Sequence, residues 1–252
     1  MNLALQGISK AWGGMRVLQD VAMSVSGNGI TGLIGPNGAG KTTLFGAICG
    51  NVPVDAGSVQ FGDLLLDDMS PVQRARTGLS RTFQVPRPFA NLSVRANLAV
   101  AARGQLGESL WHVYFSPRRV REREEAVMAR ADAVIDTLNL RRVADHAASQ
   151  LSGGQLKLLE LGRLLMMQPR LILLDEPFAG ISPILAETLA WHIGSLNAEG
   201  IGFFIVEHNL GALARIATVL FAMDRGRVIA QGTPDEVLAN EQVRTAYVGG
   251  GA

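Results

Sequence analysis

The sequence predicts an α/β fold in which helices flank a mainly parallel sheet, and three observations support this prediction. A glycine-rich loop at residues 35–43 joins a short apolar run to a helical one. Two further apolar runs, 171–174 and 201–206, lead directly into charged residues, as buried strands of parallel sheets commonly do. Short alternating strands before residue 30 predict a small antiparallel β subdomain beside the main sheet.

Length and charge limit the possible functions. A chain of 252 residues can bury a sizeable core as a main domain with a smaller lobe. Its 23 Lys and Arg residues balance 22 Asp and Glu residues, so no strong field draws it onto nucleic acid or an anionic membrane. We expect no signal peptide, and no apolar run reaches the length needed to span a bilayer. Any membrane role is therefore expected to come through a partner.

The glycine-rich loop fits the phosphate-binding pattern G-x-x-x-x-G-K-[ST]. Its residues are Gly35, Pro36, Asn37, Gly38, Ala39, Gly40, Lys41, Thr42 and Thr43. The glycines permit a tight path around an anionic triphosphate, Lys41 can reach the β- and γ-phosphates, and Thr42 offers a hydroxyl to Mg²⁺. A strand at 30–34 and a helix at 42–49 flank the loop, which favours a phosphate site over a chance glycine-rich turn.

The first strands surround a second candidate position. Residues 3–8 and 21–25 alternate as strands around the polar segment 10–14, which contains Trp12. A large aromatic side chain beside two glycines could stack on a nucleotide base or could simply be packed. Spacing alone leaves these two interpretations open.

The middle of the chain predicts a helical lobe. Residues 58–61 suit a strand, 70–78 a short helix, and 79–84 a strand that leaves the polar Gln84 where the strand becomes a loop. Helical patterns follow at 93–102 and 116–140. Charges of both signs at 118–125 favour a solvated helix over a nucleic-acid patch.

The pentapeptide 151–155 precedes the next helix, and its residues are Leu151, Ser152, Gly153, Gly154 and Gln155. A serine and two glycines at a helix start suit an anion site, although a plain capped helix has the same sequence pattern. The apolar strand after this helix ends in Asp175 and Glu176. It should deliver Asp175 to a Mg²⁺ shell near the phosphate loop, and Glu176 can polarise an attacking water.

The last third continues the alternation of helices and strands. A helix is predicted at 182–197, then the strand 201–206, which places His208 where α/β sheets usually carry chemistry. The other histidines, His112, His146 and His192, suit surface or core roles. A hairpin, a capping box that starts at Thr233, and one last short helix close the predicted fold.

Taken together and in this order, the phosphate loop, Gln84, the pentapeptide, Asp175-Glu176 and His208 resemble the motifs of ATP-binding cassette (ABC) ATPases. The resemblance covers nearly all of the chain and implies the ABC ATPase fold. In that fold, residues 1–85 and 168–252 form the nucleotide-binding core with the β subdomain, and 86–167 form the helical subdomain.

The resemblance also implies the ligands and the roles of the site residues. The ligands are ATP and Mg²⁺, with the metal at Thr42, Gln84 and Asp175. Trp12 is similar to the aromatic that stacks on adenine, Glu176 to the general base, Gln84 to the γ-phosphate sensor and His208 to the switch histidine. The pentapeptide matches the signature sequence, whose residues Ser152, Gly153, Gly154 and Gln155 are implied to contact ATP held by a second cassette in a head-to-tail dimer.

Finer features resemble the ATPase subunits of branched-chain amino-acid importers. They are Trp12-Gly13-Gly14, Arg81-Thr82-Phe83-Gln84, Glu207-His208 and Ala246-Tyr247-Val248-Gly249. This resemblance implies a motor at the cytoplasmic face of the membrane, bound to permease subunits and served indirectly by an extracytoplasmic solute-binding protein. The cargo stays open, because cassettes for urea or short amides share these features.

Two other functions stay open on the sequence. One is the ATPase of a lipid or lipopolysaccharide exporter, and the other is a soluble ATPase acting on nucleic acid or ribosomes. The second usually carries two cassettes or a long coiled coil, and this chain has neither. The sequence also departs from the family pattern at Ser182, where most cassettes have Asp and this subgroup often has Asn.

Overall fold

The computed structural model describes residues 1–82, 88–104, 111, 115–208 and 210–249. The chain divides into two compact units. The first unit comprises residues 1–84 and 169–252, and the second comprises residues 85–168.

The first unit contains both sheets and the helices that cover them. Its strands are β1 Leu3–Trp12, β2 Met15–Val25, β3 Ile30–Ile34, β4 Ala56–Phe61, β5 Leu64–Leu65, β6 Leu79–Arg81, β7 Leu171–Asp175, β8 Gly202–Val206, β9 Val219–Asp224 and β10 Arg227–Gly232. Its helices are α1 Lys41–Ile48, α2 Pro71–Arg76, α6 Pro183–Ala198, α7 Leu210–Ala214, α8 Pro234–Ala239 and α9 Glu241–Gly249.

The larger sheet has the order β10-β9-β3-β8-β7-β6. All neighbouring strands run parallel except β10, which pairs antiparallel with β9. Every residue of β3, β7 and β8 is buried, which explains why these strands are continuous apolar runs. The predicted mainly parallel sheet is confirmed, and the carboxyl ends of β3, β7 and β8 lie at one edge.

The smaller sheet is antiparallel, as predicted, and has the order β2-β1-β4-β5. The expected boundary of its first hairpin is wrong, because β1 continues to Trp12 and β2 begins at Met15. Gly13 and Gly14 have φ angles of 53° and 89°. Two glycines at positive φ close a two-residue hairpin turn, so the polar segment 10–14 is mostly strand.

The carboxyl-terminal region also differs from the single short helix that the sequence predicts. It forms α8 and α9, separated at Asn240, whose ψ of 127° is extended. The Asn240 Oδ1 accepts hydrogen bonds from the N–H groups of Gln242 and Val243 at 2.9 and 3.4 Å. This side chain therefore caps a second helix. The short helix α7 is absent from the sequence prediction because it is too short to show periodicity.

The second unit is helical in its described part. It contains α3 Val94–Val100, α4 Pro117–Thr137 and α5 Gly153–Met166, with short 3-10 turns at Arg141–Val143 and Ala148–Gln150. The predicted apolar face of α4, which includes Ala131 and Ile135, is buried. A Cβ atom on Gly162 would lie 2.8 Å from Leu98 Cδ2, so a larger residue at this position of α5 would displace the side chain of Leu98 on α3. Among the described helices, none is long and apolar enough to cross a membrane.

One buried cation holds the carboxyl-terminal end of α1. Arg74 Nη1 donates to the carbonyl oxygens of Ala47 and Ile48 at 2.7 and 2.9 Å, and its Nε donates to Met69 O at 3.0 Å. The last carbonyls of a helix lack partners within the helix, and a cation there is favoured by the helix dipole. Arg74 therefore stabilises the helix that follows the phosphate loop.

We expect Arg74→Met to lower the free energy of unfolding by about 3 kcal/mol, because it strands buried carbonyl groups at little change in side-chain length. Urea unfolding measures this. Arg76→Met removes an exposed cation from the same helix and should change the value by less than about 0.5 kcal/mol. Equal effects of the two substitutions would contradict the assignment.

Candidate functional site

The loop between β3 and α1 follows a path that only glycine allows at its two ends. A Cβ atom on Gly35 would lie 2.2 Å from Met223 O, and one on Gly40 would lie 2.7 Å from Val17 O. Gly40 also has a φ of 98°. The loop is therefore closely packed between β9 and β2, with the amino-terminal N–H groups of α1 at its end, where an anion is favoured.

Lys41 is turned toward the loop itself. Its Nζ donates to Gly35 O at 2.8 Å and to Pro36 O at 2.9 Å. Burial lowers the pKa of Lys41, and the nearby carboxylates of Glu176 and Asp175 act in the opposite direction. The contact of Lys41 with the β- and γ-phosphates stays a prediction.

Asp175 closes β7 and is 5% exposed. Its Oδ2 accepts a hydrogen bond from Arg81 Nη2 at 2.8 Å, and its backbone N–H donates to Thr82 Oγ1 at 3.2 Å. Because β6 and β7 are parallel neighbours, both contacts come from the adjacent strand end. Sequence reasoning noted Arg81 and Thr82 only as features of a resemblance and missed their contact with Asp175.

Glu176 and His208 follow neighbouring strands and meet at the sheet edge. His208 Nε2 lies 3.0 Å from Glu176 Oε1. Glu176 has a φ of 50°, a left-handed conformation that is uncommon for a residue with a side chain and tends to occur at functional positions. Its N–H donates to Val206 O at 2.9 Å. The two residues were singled out separately on the sequence, and the structure brings them together.

The side chain of Glu207 is hydrogen-bonded to the backbone next to this pair, and Glu207 was not predicted as a site residue. Its carboxylate is 1% exposed. Its Oε1 accepts from the N–H of Phe178 at 2.6 Å, and its Oε2 accepts from the N–H of His208 at 3.0 Å. It therefore ties the turn after Glu176 to the turn after β8. In the sequence, the feature that could have indicated this residue is a carboxylate directly after a fully apolar strand.

Two of the three predicted metal ligands lie among the described residues. Asp175 is at the sheet edge and Thr42 is exposed in the first turn of α1, whereas Gln84 lies outside the described residues. The described residues hold no group of three His, Cys, Asp or Glu side chains suited to a metal. One carboxylate and one hydroxyl fit Mg²⁺, which proteins usually bind through few ligands together with the substrate's phosphates.

Trp12 lies at the hairpin turn and is 50% exposed. Lys10 Nζ lies 4.8 Å from the centroid of its ring, and that lysine is held by Asp55 at 2.7 Å. The ring is thus not part of the hydrophobic core, which leaves an exposed aromatic surface next to a cation.

The pentapeptide belongs to the second unit. Ser152 Oγ accepts from the N–H of Gln155 at 3.3 Å, and Gln155 Oε1 accepts from the N–H of Ser152 at 2.9 Å. This reciprocal capping box starts α5. Ser152 and Gly153 are exposed, and a Cβ atom on Gly153 would meet nothing within 4 Å.

The model of the ABC transporter family matches residues 18–179, which include the phosphate loop, the pentapeptide and Asp175-Glu176. The chain belongs to the ABC transporter family. It is an ATP-binding cassette, an ATPase that serves as a subunit of a transporter. A second family model, described as the branched-chain amino acid ATP-binding cassette transporter, matches residues 227–252.

Several relatives resemble this cassette over its whole length. A probable branched-chain amino acid transport ATP-binding protein LivG of Archaeoglobus fulgidus is 36% identical over 98% of this chain and 95% of its own. The lipopolysaccharide export system ATP-binding protein LptB of Escherichia coli is 36% identical over 98% and 97%. A crystal structure of the ADP conformation of an ABC transporter cassette superposes with a TM-score of 0.85, at 35% identity over 99% of both chains.

The buried carboxylate of this cassette gives a direct test of the sheet-edge geometry. Glu207→Gln replaces one of the two acceptor oxygens by an NH2 group, which cannot accept a hydrogen bond, so either the N–H of Phe178 or the N–H of His208 loses its acceptor. We expect the free energy of unfolding to fall by about 2 kcal/mol, because a buried donor is left unpaired. Denaturant titration measures this.

The matched control is Glu187→Gln, which alters an exposed pair with Arg215 whose Nη1 to Oε1 distance is 3.2 Å. Its effect should stay below about 0.5 kcal/mol. If Glu207→Gln were as neutral as this control, the carboxylate would not hold the two turns together.

Proposed function

We propose that this cassette drives the import of an amino acid or a related small solute, working at the cytoplasmic face of a membrane with permease subunits. The observation that carries the proposal is the match of residues 227–252 to the branched-chain amino acid cassette family. The likeness to the LivG relative over 98% of the chain supports it. An extracytoplasmic solute-binding protein would then deliver the cargo to the permease.

We propose that residues 35–43 hold the triphosphate and that Trp12 stacks on the adenine. The N–H groups at the start of α1 and the Lys41 ammonium supply positive charge for the phosphates. The half-exposed ring of Trp12 on the neighbouring β subdomain supports its role. The close approach of Gly40 to Val17 of β2 supports a nucleotide that spans the loop and that subdomain.

In the proposed hydrolysis step, a water oxygen attacks the γ-phosphorus while the bond between this phosphorus and the β–γ bridging oxygen breaks. Glu176 accepts the proton of the water, and ADP leaves with the electron pair of the broken bond. His208, at 3.0 Å from the Glu176 carboxylate, keeps that carboxylate oriented. The left-handed backbone of Glu176, with a φ of 50°, supports this role, because such conformations tend to occur at functional positions.

We propose that Thr42 and Asp175, together with Gln84, hold Mg²⁺ against the phosphates. Mg²⁺ would neutralise charge on the β- and γ-phosphate oxygens. The Asp175 carboxylate already pairs with Arg81 at 2.8 Å. Metal binding would therefore compete with Arg81 for the same carboxylate.

We propose a head-to-tail dimer with a second cassette, either a copy or a paralogue. The exposure of Ser152 and Gly153 at the start of α5 supports this, because these groups are open to an anion. With Gly154 and Gln155 they would contact ATP held by the partner. Since each ATP would then need groups from both cassettes, an isolated chain should hydrolyse ATP slowly.

A second candidate is the ATPase of a lipopolysaccharide exporter. The LptB relative is also 36% identical over 98% of the chain, so sequence identity does not separate import from export. ATP chemistry would be the same in both, and only the partners differ.

We expect Glu176→Gln to lower ATP turnover at least about a hundredfold, because a general base typically contributes that much, while the Kd for ATP changes by less than about twofold. Turnover is measured at protein concentrations at which dimers form. Glu199→Gln, an exposed carboxylate at the end of α6, should keep wild-type turnover. Full turnover in Glu176→Gln would remove this residue from the mechanism.

The partners identify the direction of transport. We expect tagged Glu176→Gln protein, captured with Mg-ATP from detergent-solubilised native membranes, to bring down multi-span permeases, a second cassette and a solute-binding protein. Mass spectrometry identifies them. Recovery of lipopolysaccharide-transport components would replace the importer by the exporter, and recovery of ribosomal or DNA-associated proteins alone would refute transport.

A further inference from the structure

The carboxyl-terminal helix α9 reaches the beginning of the phosphate loop. The backbone N–H of Gly35 donates a hydrogen bond to Tyr247 Oη at 2.8 Å. The two residues are 212 positions apart in the chain. Gly35 is buried, and Tyr247 is half-buried. A contact between the last helix and the first residue of the loop is thus built into the fold.

The peptide groups on both sides of Gly35 are hydrogen-bonded to side chains. Its N–H is bound by Tyr247 and its carbonyl oxygen accepts from Lys41 Nζ at 2.8 Å. Its α-carbon is pressed against β9, since a Cβ atom there would lie 2.2 Å from Met223 O. Gly35 therefore has little freedom to move, and its carbonyl oxygen holds the ammonium group of Lys41.

The phenol is suited to act as this acceptor. Burial raises the pKa of Tyr247, so the group stays a neutral phenol near neutral pH. A phenol oxygen accepts a hydrogen bond without adding a negative charge. A carboxylate at the same place would repel a triphosphate, whereas the phenol fixes the backbone and leaves the loop electropositive.

We infer that Tyr247 is a positioning residue that holds the phosphate loop in its ATP-binding conformation through the N–H of Gly35. This inference rests on the proposed role of residues 35–43 as the triphosphate site. The first strand-to-loop peptide sets where the following N–H groups point. Fixing it before ATP arrives lowers the ordering cost of binding. Without the phenol oxygen, a buried N–H loses its acceptor and the loop must shift to find another.

The test is Tyr247→Phe, which keeps the ring and removes only the hydroxyl. We expect the Kd of the full-length chain for Mg-ATP to rise about threefold to tenfold, which is the range that one such hydrogen bond provides. Calorimetric titration measures this. In turnover assays, KM should rise by a similar factor while kcat stays within about twofold, because Tyr247 touches none of the reacting atoms.

Thr188→Val is the matched control. It also removes one hydroxyl, which donates to Ile184 O at 3.0 Å on an exposed part of α6. It should leave the Kd unchanged. The thermal unfolding midpoint without nucleotide should fall by less than about 4 °C in either variant, so that a higher Kd cannot be ascribed to loss of the fold.

A wild-type Kd in Tyr247→Phe, or an equal rise in Thr188→Val, would overturn the inference, because a ring-packing role survives the Phe substitution. Lys41→Ala in the same titration separates this failure from a failure of the proposed site. Weak binding in Lys41→Ala with a wild-type Kd in Tyr247→Phe refutes only the role of Tyr247. Wild-type binding in Lys41→Ala refutes the loop as the triphosphate site.

Discussion

The pairing of Val206 with both neighbouring strands fixes how the ends of β3, β7 and β8 are aligned at the site. Val206 pairs with Leu33 of β3 on one side and with Asp175 of β7 on the other, and its carbonyl oxygen accepts the N–H of Glu176 at 2.9 Å. Because parallel strands present their carboxyl ends at one edge, this register brings together three separate turns. They carry the phosphate loop, the Asp175-Glu176 pair and His208. A shift of one residue in either pairing would move every side chain of the strand to the opposite face of the sheet and separate the turns.

The edge of the sheet concentrates charges that must be compensated locally. Lys41 is bound to two loop carbonyls, Asp175 is bound to Arg81, and Glu207 is bound to two backbone N–H groups. Buried charges are costly unless they are paired in this way. In the proposed function, a triphosphate that enters the loop competes with the existing partners of Lys41. The gain from binding has to exceed the loss of these contacts, and a loop that is already in place makes that exchange cheaper.

The local motifs of this site could be predicted from the sequence, and the contacts among them could not. The phosphate loop is recognisable because its chemistry requires glycines, a lysine and a hydroxyl at fixed spacing. Glu176 and His208 could be singled out because each follows an apolar strand, but their 3.0 Å approach depends on strand register. The predicted boundary of the first hairpin was wrong because the polar residues and glycines around Trp12 have the composition of a loop. The Tyr247 contact joins residues 212 positions apart, and no local pattern encodes it.

Ser182 shows how one departure from a family pattern limits what a side chain can do. Its Oγ caps α6 by accepting the N–H of Leu185 at 3.4 Å, so the hydroxyl is already directed at its own helix. An aspartate at such a position has a second oxygen that stays available while the first one caps. A serine keeps only a proton and a lone pair on the same atom. Any contact of Ser182 with a partner cassette must therefore use the same oxygen atom that caps the helix. The serine side chain is also neutral and reaches less far than an aspartate would.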